Sequence, residues 1–250
     1  MSTEAWTHLI VSVVATVVWL AAYRLPFAAA RTRKRFRLAV SSATGLSPTL
    51  VFPILGTAIY LGLAIGAIVT VMLVSGPTLD DLVGPAPSLM IGALTLLAIL
   101  GASAATAFGM SLLYSVNPRV DVPAAVSSVG WIREVMVLPV RWRWLVPMSS
   151  AAAEEFFFRG VVLVGLLSAD VAPWIAIGSA GLLFTIGQVV LTENPVQSIV
   201  LAISSVVLSI VGGLLVVVTG SVIPAIVVHA AFAGYYTNST SPSSRSATAR

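Results

Sequence analysis

The chain has no cysteine among its 250 residues, only two histidines, and charge on just 9% of positions. The first absence removes disulfides, thiolate zinc sites and a cysteine nucleophile together. The two histidines, His8 and His229, are too few for a three-histidine metal site, and no H-E-x-x-H pattern occurs. No metal and no other cofactor is therefore expected. The shortage of charge says most. A soluble domain carries about 25% charged residues, whereas here 58% of residues are hydrophobic. The expected fold is all-α, a polytopic bundle whose first partner is the lipid bilayer. The net charge of +4 reads as an orientation signal, and no nucleic-acid partner is expected.

Windows of roughly 20 apolar residues mark membrane helices. They predict spans near 9–30, 49–74, 90–114, 145–168, 171–190, 199–218 and 221–236, seven in all. The stretch "VGWIREVMVLPVRWRW" (129–144) reads as an interfacial or re-entrant piece, or as an eighth span. The leading "MSTEAWTH" lacks the basic start of a signal peptide, and the positive cluster "RTRKRFR" (31–37) follows the first apolar run instead.

Lys and Arg are also missing from a particular set of loops. "SGPTLDDLVGPAP" (75–87), "SADV" (168–171) and "TG" (219–220) carry none. Arg31, Arg33, Lys34, Arg35, Arg37, Arg119, Arg133, Arg141, Arg143, Arg245 and Arg250 would all lie on the opposite side. Positive charge gathers on the cytoplasmic face, so the N-terminus is expected outside and the C-terminus in the cytoplasm, with a bacterial plasma membrane as the location. Trp142 and Trp144, interleaved with arginines, fit an interfacial anchor. The expected division is 1–144, an N-terminal transmembrane region with basic cytoplasmic loops, then 145–236, a functional core, then 237–250, a Ser/Thr-rich disordered tail.

Few polar groups remain inside the bilayer: Glu154, Glu155, Arg159, Gln188 and His229. A central charge costs about 2.5–3.5 kcal/mol on insertion scales, so such residues pair, face a cavity or do chemistry. Glu155 and Arg159 are four apart and share a helix face, which permits an ion pair. Glu154 points about 100° away with no cation at i+3 or i+4. A structural polar knot would account for Glu155 and Arg159 as well as chemistry does. It accounts poorly for Glu154, because an unpaired buried carboxylate is costly without a purpose. A lone histidine in an apolar helix is ordinarily an interhelical hydrogen-bonder, yet a buried glutamate elsewhere in the membrane is a natural partner for His229.

Three ordered blocks carry a resemblance. "EEFFFRG" supplies Glu154, Glu155, Arg159 and Gly160, "FTIGQ" supplies Phe184 and Gln188, and "GGLLVVVTGSVIPAIVVHA" supplies His229. This arrangement resembles the CPBP family of type II CaaX prenyl proteases, bacteriocin-processing and abortive-infection-like membrane proteins. That family is marked by E-E-x-x-x-R, F-x-x-x-H and H-x-x-x-(N/D/S). The resemblance spans roughly 145–236, and residues 1–144 share only hydropathy with it. It implies a glutamate-dependent intramembrane endopeptidase. In that scheme Glu154 and the F-x-x-x-H histidine activate water, while the last histidine and the residue four later stabilise the oxyanion.

Two positions depart from the pattern: Gln188 stands at the F-x-x-x-H histidine and Ala233 at the position four after His229. Glutamine can hydrogen-bond a water but cannot take its proton, and alanine offers no donor. The enzyme reading is therefore an endopeptidase of reduced activity with Glu154, Glu155, Arg159, Gln188 and His229 as its site, acting on a membrane-embedded or membrane-associated peptide. The competing reading is an inactive relative that binds a membrane partner or peptide in the same cavity. A proton-linked transporter component is the third, disfavoured by the lack of an inverted repeat or paired broken helices.

Overall fold

In the computed structural model, which describes residues 1–84 and 86–239, every regular element is helical. The chain opens with α1 (Thr3–Arg24), whose first turn is capped by the Ser2 hydroxyl accepting from the Ala5 amide at 3.1 Å. Pro26 follows in a 3₁₀ turn over Leu25–Phe27 and ends the run. The basic cluster then forms a surface helix, α2 (Ala30–Thr44), with no buried residue, closed by the left-handed Gly45 at φ 72°. A π-helical turn over Phe52–Gly56 leads into α3 (Thr57–Ser75). The short α4 (Leu79–Val83) precedes the long α5 (Leu89–Val116). Two further short helices, α6 (Val122–Ser127) and α7 (Gly130–Val135), lie before a 3₁₀ turn at Val140–Trp142.

From residue 145 the chain is one nearly continuous rod followed by three helices. The rod joins α8 (Leu145–Glu155), π-helical turns over Phe156–Val164 and α9 (Gly165–Ser168). After it come α10 (Pro173–Val190), α11 (Pro195–Thr219) and α12 (Ile223–Ser239). Five helices among the described residues are long and apolar enough to cross a membrane. The rod carrying Glu154, Glu155 and Arg159 and the short apolar stretch Ile223–Tyr235 stand outside that set. The protein is a polytopic helical membrane protein.

Some expected boundaries move. The first span begins at Thr3 and ends at Arg24, about six residues earlier than the hydropathy window placed it. The cap at Ser2 and the proline at 26 set those ends, and neither enters a hydropathy average. Residues 129–144 form short helical pieces rather than an eighth span. Residues 237–239 continue α12, and the remainder of the tail expected to be disordered lies outside the described residues.

Small residues let the helices approach. A methyl group added at Gly181 would meet the Ser209 side chain at 2.8 Å, and one at Gly213 would meet Ile177 at 2.9 Å, which brings α10 and α11 together. Lipid is as apolar as the helix surfaces, so close backbone approach and polar contacts supply much of the association.

His8 was placed by the sequence reading outside the first span. Instead it is buried within α1, 1% exposed, against a gap that only Gly165 leaves open. Its Nδ1 lies 3.1 Å from both the carbonyl and the hydroxyl of Ser75, and its Nε2 3.3 Å from the Val162 carbonyl. These contacts gather the start of α1, the end of α3 and the rod at one end of the bundle. At that end the Val222 amide also donates to the Leu82 carbonyl at 3.0 Å, tying the loop after α3 to the α11–α12 turn. Two of the loops without Lys or Arg, 75–87 and the α11–α12 turn, thus meet one another, and Arg33 of α2 and Arg133 of α7 line the cavity at the other end.

Candidate active site

Five polar residues, three from the rod and one each from α10 and α12, meet in the interior. The rod winds Glu154, Glu155 and Arg159 through its change from α- to π-helical turns, a distortion that recurs at functional sites. Glu155 Oε1 sits 3.0 Å from Arg159 Nη1 and 2.8 Å from His229 Nδ1. Arg159 Nη2 donates to the Ser209 hydroxyl at 3.1 Å, and its guanidinium stacks 4.2 Å above the Phe184 ring. The same ring meets His229 edge-on at 5.5 Å. Phe184, Arg159, Glu155 and His229 therefore form one packed unit linking the rod, α10, α11 and α12. Arginine tolerates such burial because its planar, weakly hydrated cation can pair and stack at once.

Glu154 is on a different face and has different partners. Tyr60 of α3 donates its hydroxyl to Glu154 Oε1 at 2.6 Å, and Gln188 of α10 donates from Nε2 to Oε2 at 2.9 Å. Both carboxylate oxygens are thus engaged by other helices. Both partners lie on other helices, so the i+3 and i+4 positions of the rod itself do not show them. Tyr60 was missed altogether, although a tyrosine within an apolar span is itself a signal: its hydroxyl needs a partner when buried. Ser209 was missed for a plainer reason, since a serine in an apolar helix ordinarily bonds its own backbone, as Ser209 also does to the Ser205 carbonyl at 2.6 Å.

Glu154, Gln188, His229, Ala233 and Tyr60 all line one cavity of about 450 Å³. The cavity's more exposed lining includes Arg24, Arg33, Trp131, Arg133 and Glu193, so it opens at the arginine-rich end of the bundle. Tyr23, Phe27 and Phe52 add aromatic wall. Arg133 pairs with Glu193 at 3.7 Å across the mouth, and Arg37 pairs with Glu134 beside it. Glu155 and Arg159 stand behind this lining, holding His229 from the rear.

The arrangement has definite chemical capacities. With Glu155 also paired to a guanidinium, His229 donates Nδ1–H to a carboxylate, so its neutral form presents Nε2 as a bare acceptor. Glu154 and His229 are then two proton acceptors on one cavity, whereas Gln188 and Tyr60 are donors. Ala233 contributes no polar atom. Among the described residues no group of three His, Asp or Glu side chains is placed to hold a metal ion.

No curated protein and no solved structure matches the chain. Residues 137–235 match the family model described as Type II CAAX prenyl endopeptidase Rce1-like. This region includes the rod, α10, α11 and most of α12, so it contributes Glu154, Glu155, Arg159, Gln188, Ser209 and His229, whereas Tyr60 and the arginines at the cavity mouth lie outside it. At the level of that family the activity is a membrane endopeptidase. Over this region the chain is similar to the Rce1-like type II CAAX prenyl endopeptidases.

Proposed function

We propose that the protein is an intramembrane endopeptidase of reduced activity, with Glu154 as general base. The observation that carries this reading is the pair of acceptors, Glu154 and His229, lining one cavity that opens at the arginine-rich end. A water lying between them would give one hydrogen to each and direct its oxygen lone pair towards a peptide carbonyl. Glu154 takes the proton as the water oxygen bonds to the carbonyl carbon. The tetrahedral intermediate then collapses, the C–N bond breaks, and the proton passes to the leaving amine. Glu155 and Arg159 act from behind by holding the histidine tautomer, as a buried carboxylate does in a hydrolase triad.

The substrate under this reading is a peptide held at the membrane, entering from the cytoplasmic face. Fusion reporters after residues 37, 82, 125 and 240 should read inside, outside, inside and inside. A cytoplasmic reading at 82 would reverse the cavity's orientation and remove the cytoplasmic route.

One observation favours a second reading, a peptide-binding relative without catalysis. Gln188 is hydrogen-bonded directly to Glu154 and cannot itself take a proton. Co-expression of candidate membrane peptides with wild type and Glu154→Gln separates the two. Cleavage that disappears in Glu154→Gln supports the enzyme. Retention of an uncut peptide by wild type, weakened by the same substitution, supports the binder.

A further inference from the structure

We propose that Tyr60 is a positioning residue for Glu154, which makes α3, outside the family-matched region, a working part of the site. The inference rests on the endopeptidase reading for its consequence in catalysis, but not for its geometry. Tyr60 is 8% exposed and Glu154 7%, and the 2.6 Å bond between them spans two elements 94 residues apart in sequence. The Tyr60 ring is held at 5.0 Å from the rings of both Trp19 and Tyr23, so the hydroxyl is aimed by packing rather than by its own torsions.

The terminal torsion of a glutamate is broad and weakly restrained. Gln188 alone, bonded to Oε2, would leave the carboxylate free to rotate about that contact. A second donor on Oε1, from another helix, fixes the carboxylate plane relative to the cavity. A rigid base is what a site with few donors most needs, because small misplacements of reacting groups cost large factors in rate. Packing alone would be served equally by phenylalanine, since both ring contacts are made by carbon.

The test is Tyr60→Phe in the full-length protein, read in two ways. The first is labelling of Glu154 by dicyclohexylcarbodiimide, an apolar reagent whose central carbon is attacked by a carboxyl oxygen left free of other donors, followed by peptide mass spectrometry. Labelling should rise about fivefold in Tyr60→Phe, with Glu155, held by Arg159 and His229, as the internal reference. Equal labelling in the two proteins, zero included, overturns the proposal. The second reading uses any peptide that wild type cleaves: kcat should fall about tenfold with KM unmoved, and a change in KM alone also overturns it. If nothing is cleaved but labelling rises, the positioning role stands and the endopeptidase reading falls. If Tyr60→Phe does not fold, Tyr60→3-fluorotyrosine keeps every ring contact and strengthens the donor. Labelling of Glu154 should then drop below wild type, and no drop counts against the role.

Discussion

Arg159→Met is expected to cost the fold about 3–5 kcal/mol, the range for removing one member of a buried ion pair. The guanidinium is 1% exposed and engages Glu155, Ser209 and the Phe184 face simultaneously. Its loss leaves Glu155 buried with only His229 as a partner. The double variant Glu155→Leu with Arg159→Met should lose much less than the sum of the single changes, because no uncompensated charge remains. His229 would still lose its Nδ1 acceptor, so the double variant should be folded but inactive. Unfolding equilibria of the four proteins in one detergent would check this, as a double-mutant cycle. Additive losses would mean that Glu155 and Arg159 do not act as a unit.

The second large effect is a gain. Gln188→His would place a proton acceptor where an amide now bonds Glu154, and Ala233→Asn would add a donor one helical turn after His229 on the cavity wall. General-base and oxyanion contributions are each worth about 10²-fold or more. Together they should raise cleavage by at least roughly 10²-fold over wild type, allowing for imperfect placement of two new side chains. A neutral imidazole is tolerable at membrane depth and is also the form a base requires. The gain must pass through Glu154, since neither new group replaces its carboxylate.

Much of the site could be read along the chain, because its parts are close in sequence or in a recurring order. Glu155 and Arg159 four residues apart announced their pairing, and the three blocks pointed to Glu154, Gln188 and His229. What could not be read was anything that depends on the angular position of a distant helix. The bond from Tyr60 to Glu154 crosses from α3 to the rod, and hydropathy places α3 in the membrane without saying which face turns inward. The partner of His229 proved to be Glu155, not the seemingly unpaired Glu154, which only the relative rotation of α12 and the rod decides. His8 was misjudged because a polar residue near an apolar run looks like its boundary, whereas the Gly165 gap buries it. The position of Arg24 beside the cavity mouth followed the same error, since the expected span ran past it to residue 30.

The measurement that bears most directly on the central claim is the initial rate of peptide-bond cleavage in reconstituted membranes. The same membrane-embedded peptide, one that a complete family member cuts, would be presented to four proteins: wild type, Glu154→Gln, Gln188→His with Ala233→Asn, and that pair combined with Glu154→Gln. The account predicts slow cleavage by wild type, a rise of at least roughly 10²-fold in the pair, and none in either protein lacking the Glu154 carboxylate. A pair as silent as Glu154→Gln, or one whose activity survives loss of Glu154, would contradict it.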